Sequence, residues 1–217
     1  MSDDNVMRLF GPSRNSGSLP SQYERVQQWQ TKRYDLITAA VAAGAWSYSH
    51  RQETHDRHPA GMGRYASAVL ACREGDTPDT QFGIFSGWNF KLRRGDGRSI
   101  QYHPLQGYKL CSEPDAIVAA VGIGYYAIHG LVLFSDNMQK EDVSKLFTNI
   151  QHPCYDCREF LAKFLRPDSP IIVVRHRLLC DVFAGPRTEF IGDLVAEDWT
   201  YREICELHKH AQLTGRR

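Results

Sequence analysis

The sequence predicts an α/β domain built on a mixed sheet, on three observations. Its hydrophobic pattern switches repeatedly between helical and strand periods, giving the order α-β-β-α-β-α-β-β-α. Charged residues make up 24% and the hydrophobic set 42%, an ordinary globular mixture. Its 217 residues suffice for one substantial core, so one domain over residues 21–217 is expected behind a short tail, 1–20. The 26 Lys and Arg against 25 Asp and Glu, a net charge of +1, argue against a dedicated nucleic-acid binder.

The tail contains Gly11-Pro12-Ser13-Arg14-Asn15-Ser16-Gly17, which buries little and reads as flexible. Ser21-Gln22-Tyr23-Glu24 fits a capping box. Behind it Val26, Trp29, Ile37, Ala40 and Val41 recur near helical spacing, so one long amphipathic helix should reach about Ala45. A polar, His- and Arg-rich connection follows over 47–63, with His50, His55 and His58 most simply on an exposed loop.

Tyr65 to Cys72 is an apolar strand, Glu74 to Asp79 supplies turn chemistry, and Gln81 to Asn89 returns. Residues 92–108 read as a loop whose cations Arg93, Arg94 and Arg98 fit a solvated turn. Ala116 to Phe134 has no Asp, Glu, Lys or Arg and approaches a membrane span in length. Gly122, Gly124, His129 and Gly130 interrupt it, so it reads as a buried helix running into a strand at 130–135, broken near His129-Gly130. A short helix is expected within 140–147, a helix from Cys154 to Leu165, strands at Ile171 to Val174 and Leu179 to Phe183, and a terminal helix from Tyr201 to His210.

The six cysteines are even in number, but the start Met-Ser-Asp-Asp-Asn lacks the basic and apolar stretches of a secretory signal. The expected compartment is the reducing cytoplasm, where a Cys-x-x-Cys pair reads as metal-binding or redox-active rather than disulfide-bonded. Two segments carry the chemistry: Cys111-Ser112-Glu113 and Pro153-Cys154-Tyr155-Asp156-Cys157. Each sits at a predicted helix start, where free amides and the macrodipole favour thiolates. Cys154 and Cys157 share one turn, and Cys111 can join them from a neighbouring helix start. Three protein ligands with a fourth position open is the catalytic zinc arrangement. Glu113 then stands close enough to handle protons without binding the metal.

Other readings exist. Three buried free thiols would also suit a core, but that reading leaves the Glu and the Pro at matching offsets to chance; His152 is the nearest fourth ligand for a closed structural site and reads more simply as a loop or pocket-wall histidine. Cys72, Cys180 and Cys205 fall in apolar patterns and read as packing, and His208 and His210 as a solvated face.

Cys-x-Glu followed by Pro-Cys-x-x-Cys resembles the zinc deaminases, and specifically the small free-standing cytidine deaminases with three Cys ligands. Arg158 is similar to that family's Cys-Arg continuation. Gly87-Trp88-Asn89 resembles its Asn-containing strand end, and Ile191-Gly192-Asp193-Leu194 its closing strands. The resemblance implies a three-layer α-β-α sandwich with a mixed five-stranded sheet, a Zn2+ ion on Cys111, Cys154 and Cys157, and Glu113 as proton shuttle. It also implies a small-molecule pyrimidine nucleoside substrate and a homo-oligomer, tetramer or dimer. Ser112 would contribute through its backbone and Asn89 would hold the ribose.

The chain departs from the family at the pocket. The family's Asn-x-Glu reads Asn89-Phe90-Lys91, and Arg64 stands where a base-stacking Phe is expected, with Tyr65 adjacent. The stretch from Cys111 to Cys154 is also long for the family, with 136–150 absorbing the excess. The expected activity is hydrolytic deamination of cytidine, deoxycytidine or a related aminopyrimidine nucleoside. The alternatives are an anionic cytosine substrate contacted by Lys91 or Arg64, and a non-catalytic zinc-stabilised nucleoside-binding module.

Overall fold

The structure is a computed structural model, and it describes residues 18–49, 64–75, 77–88, 90–91, 109–136, 153, 155–176 and 187–213. Cys154, Asn89, His152, the three His of the 47–63 connection, the 92–108 loop, the helix expected within 140–147 and the strand expected at Leu179 to Phe183 lie outside these residues.

Ser21 caps helix α1 (Gln22–Thr31). The Glu24 amide donates to the Ser21 hydroxyl and the Ser21 amide donates to the Glu24 carboxylate, closing a capping box. The single long helix expected here is two, because α2 (Arg33–Ser49) begins after an interruption at Lys32. The Thr31 hydroxyl donates to the Gln27 carbonyl four residues back, at 2.9 Å, a bond that bends helices.

Strand β1 (Arg64–Cys72) returns through a short helix α3 (Pro78–Gln81) as β2 (Phe82–Trp88). A small ladder pairs β3 (Phe90–Lys91) with β4 (Lys109–Leu110), and helix α4 (Ser112–Gly122) follows at once. The chain then runs through β5 (Ala127–Asp136), α5 (Tyr155–Leu161), β6 (Pro170–His176), β7 (Thr188–Ile191), β8 (Leu194–Thr200) and α6 (Tyr201–Leu213).

The break between α4 and β5 lies earlier than the sequence suggested. Gly124, at φ 90°, ends α4 in a Schellman motif: its amide reaches the Val121 carbonyl and the Tyr125 amide reaches that of Ala120. The strand therefore starts at Ala127 and already contains His129 and Gly130.

The main sheet runs β2-β1-β5-β6-β8-β7, with β5 and β6 parallel and every other pair antiparallel. It has six strands, not five. The extra strand comes from the β7–β8 hairpin, closed by the two-residue turn Gly192-Asp193. Arg33 of α2 anchors that hairpin, bonding Glu189 at 2.7 Å and Asp198 at 2.6 Å.

Alternation along the strands divides the core into two layers. Ala66, Ala68, Leu70, Val132, Phe134, Ile172 and Val174 face α1 and α2. Val69, Leu131, Leu133, Ile171 and Val173 face α4, α5 and α6. The result is a helix-sheet-helix sandwich. No helix among the described residues is long and apolar enough to cross a membrane.

Candidate functional site

Cys111 is the extended cap residue of α4, at φ −78° and ψ 156°, so the turn that follows it is fixed by the helix start. That turn lies directly on β2 because Gly87 has no side chain. A Cβ there would stand 2.4 Å from the Ala116 nitrogen and 2.5 Å from the Ser112 carbonyl oxygen. Asp115 ties the same contact by accepting the Trp88 amide at 3.1 Å. Burial pushes the Asp115 carboxyl above its usual range, and the bond from Trp88 opposes the shift.

Beneath this turn a chain of hydroxyls leads to Glu113. The Ser112 hydroxyl donates to the Glu113 carboxylate at 3.2 Å and lies 2.7 Å from the Ser67 hydroxyl. Each hydroxyl has one proton, so Ser67 is the donor to Ser112. Ser67, Ser112 and Glu113 are all buried, with Glu113 at 7% exposure. A carboxylate so far from water depends on such donors for its orientation.

The second segment arrives from α5. Cys157 stands on its first turn, 2% exposed. The Arg158 guanidinium donates to the Pro153 carbonyl at 2.9 Å, and the Tyr201 hydroxyl of α6 donates to the Arg158 carbonyl at 2.7 Å. These bonds pin the α5 start from both sides. The Cys111 and Cys157 sulfurs and a Glu113 oxygen lie within 4.8 Å of one another.

This donor set fits zinc. Two soft sulfurs converge from the starts of two helices, whose free amides favour the thiolate form that binds metal. Glu113 is close enough to serve either as a ligand or as a proton carrier. The third sulfur of the expected set belongs to Cys154, outside the described residues.

No family model and no curated protein matches the chain by sequence. Among solved structures, it is similar to a cytidine deaminase from Burkholderia pseudomallei at 16% identity, over 79% of this chain and 94% of that one, with a TM-score of 0.43. It is also similar to a cytidine deaminase from Mycobacterium leprae at 15% identity, over 60% of this chain and 83% of that one, with a TM-score of 0.32.

The backbone brings further sequence-predicted residues to this end of the sheet. Arg64 and Tyr65 open β1, opposite Asp136 and Ser135 of β5. Lys91 pairs with Lys109, just before Cys111. The side chains of Arg64, Tyr65 and Lys91 lie outside the described residues. Ser67 and Asp115 were not singled out by sequence reasoning, and Gly87 entered it only as part of the strand end Gly87-Trp88-Asn89. Ser67 had a signal, being a lone hydroxyl at a core-facing position of an apolar strand. Gly87 and Asp115 had none, since their roles arise from the packing of α4 on β2.

Proposed function

We propose that this chain is a zinc-dependent hydrolytic deaminase acting on cytidine, deoxycytidine or a close aminopyrimidine relative. One observation carries the reading: a buried carboxylate, Glu113, lies within 4.8 Å of the Cys111 and Cys157 sulfurs where two helix starts meet. Cys111, Cys154 and Cys157 would hold the metal. When bound, zinc supplies Lewis acidity and brings the pKa of a water toward neutrality.

The remaining work falls to the chain's own residues. Glu113 takes a proton from the attacking water and delivers it to the ring nitrogen beside the amino-bearing carbon. That carbon thereby becomes electrophilic and the water oxygen adds to it; Glu113 then carries the remaining proton of that oxygen to the amino group, and the C–N bond breaks to release ammonia as the C=O bond forms. Water and aminopyrimidine become oxopyrimidine and ammonia, with Glu113 returned to its starting state. Ser67 and Ser112 hold the carboxylate in one rotamer through these exchanges.

A second reading, an anionic cytosine substrate, is favoured by the cations at this end. Arg64 opens β1, and Lys91 and Lys109 occupy paired backbone positions in the small ladder leading into Cys111. The decisive experiment is ammonia release by the zinc-loaded full chain on cytidine, deoxycytidine and their monophosphates, with Glu113→Gln as the control. Turnover should fall by about 10³-fold in the variant while zinc content stays the same. Failure to release ammonia from any of these, or an active variant, would overturn the reading. A preference for the monophosphates would select the anionic substrate.

A further inference from the structure

The opposite end of the sheet holds a second concavity. Along β5, Leu133 lies opposite Ser67, whereas His129 lies toward the Cys72 end of β1, roughly 14 Å further along the strand. There α1, the start of β5 and the segment leading into β6 enclose a cleft of about 200 Å³. A cavity of about 150 Å³ takes a benzene ring, so this one takes a ring with a substituent.

Its walls are unusual in leaving polar nitrogens without partners. Nε of Arg25 and Nε2 of His129 are both buried, and neither has a hydrogen-bond partner among the described residues. Such atoms give up the hydrogen bonds they made with water in the unfolded chain unless something meets them. The neighbouring charges do not supply it: Arg166 bonds Asp168 at 3.3 Å, which leaves Arg25 as the cation of the cleft without a carboxylate among the described residues. Burial, aided by the charge of Arg25 and opposed by Asp168, pushes the His129 imidazole down to about 4, so it is neutral near pH 7.

The polar rest of the lining, Gln22, Gln30, Arg166, Asp168 and Ser169, surrounds an apolar wall of Val26, Trp29, Ile128 and Pro170. Trp29 meets His129 edge to face at a centroid distance of 5.9 Å. Gly130 lets the Trp29 ring and Pro170 close in, since a Cβ there would stand 2.6 Å from Trp29 and 2.7 Å from the Pro170 carbonyl oxygen. The buried Ser169 hydroxyl accepts the Arg166 amide at 2.9 Å, which fixes the floor.

We propose that this cleft is a binding site for a small organic carboxylate with a compact planar body, separate from the Cys111–Glu113–Cys157 centre. The carboxylate meets the Arg25 guanidinium and accepts a hydrogen bond from the neutral His129 imidazole, and the planar body lies against the joined surface of Trp29 and Pro170. A guanidinium and an N–H donor recognise a carboxylate by charge-assisted bonds, while the apolar wall rejects a hydrated inorganic anion.

The test uses the full chain with benzoate as probe, benzamide as its neutral counterpart and inorganic phosphate as the compact anion. Binding is read by calorimetry and by the imidazole NMR signals of His129. Benzoate should bind at least tenfold more tightly than benzamide or phosphate, and should raise the His129 pKa. Arg25→Gln should weaken benzoate at least tenfold, Arg25→Lys should recover part of the loss, and Glu113→Gln should bind as the parent does. Thermal midpoints of the Arg25 variants establish that they fold. Equal binding of benzoate and benzamide, tighter binding of phosphate, undiminished binding by a folded Arg25→Gln, or loss of binding in Glu113→Gln would each overturn the proposal.

Discussion

The polar groups around Glu113 and those around His129 are buried in opposite ways, although Ser135 Oγ and Arg175 Nε, at the Glu113 end of the sheet, are also buried without a hydrogen-bond partner among the described residues. Where β1 begins, Ser67 donates to Ser112, Ser112 to Glu113 and the Trp88 amide to Asp115. Where β5 begins, Arg25 Nε and His129 Nε2 are buried with no such bonds among the described residues. A completed network rigidifies and holds one geometry, as proton transfer requires; an incomplete one is a standing affinity for whatever completes it. The first end is built to hold a geometry and the second to accept a group.

The largest expected effect breaks the first end by packing alone. Gly87→Ala places a methyl 2.4 Å from backbone, which no side-chain rotation relieves. The start of α4 must move off β2, at a cost of about 3 kcal/mol, the upper range for overpacking. Chemical denaturation should show that loss, and metal affinity should fall with it because Cys111 moves too. Unchanged stability would mean that α4 is less tightly seated than the distances imply.

Next comes pH, which strikes the second end. His129 is held near 4 in the folded chain against about 6.5 when unfolded. Below 6.5 the unfolded state takes up the proton first, so stability falls with pH and the loss is complete only below about 4. Allowing for solvent screening of a partly exposed ring, it amounts to about 1–2 kcal/mol. Comparing denaturation midpoints of the parent and His129→Gln from pH 7 to 4 isolates it. The variant should lose less than the parent. Benzoate should flatten the parent's slope, because an anion beside the ring raises its pKa.

A smaller effect, about 1 kcal/mol, is expected for Ser67→Ala. The Ser112 hydroxyl loses its donor but still bonds Glu113, so the protein should stay folded. Catalysis should suffer more than stability, since the Ser112 hydroxyl that bonds Glu113 is then no longer oriented by Ser67. Turnover and thermal midpoint measured side by side would show the split; equal losses would make Ser67 a packing residue only.

The two ends also differed in how much of them could be read beforehand. Cys111-Ser112-Glu113 and Cys157 are local signals, because a helix start brings residues close in sequence to one point. Strand alternation likewise exposed both faces of the core. The second cleft gave no such signal. Arg25, His129 and Pro170 come from three distant elements, and expecting the α4–β5 break near His129-Gly130 put His129 in a connection rather than on a strand wall. The actual stop depends on Gly124 taking a left-handed conformation after Ile123, one glycine among several in the stretch. The β7–β8 hairpin was legible only through the resemblance at Ile191-Gly192-Asp193-Leu194, because β7 is an edge whose residues are mostly half-exposed, so burial imposes little alternation on it. At the helix interruption near Lys32 the Thr31 hydroxyl turns back on its own helix, a bond that the hydrophobic pattern does not announce.

The smallest effect sharpens the comparison most. Ser21 caps α1, the helix that carries Arg25 and Trp29, and its amide and hydroxyl both reach Glu24. Ser21→Ala removes the hydroxyl, which for an N-cap costs about 1 kcal/mol of helix stability. The loss is local, because the first turn of α1 is exposed and opens without the sheet opening. Global denaturation should therefore move by only a few tenths of a kcal/mol. Arg25 sits one turn inside that cap, so fraying releases it from the cleft and benzoate affinity should drop by roughly two- to fourfold. Deaminase turnover should not change, since no bond of the Ser67–Ser112–Glu113 chain involves α1. Calorimetry with benzoate and ammonia release on the same variant would therefore report on the two ends separately; a parallel fall in both would show that they act as one cooperative unit.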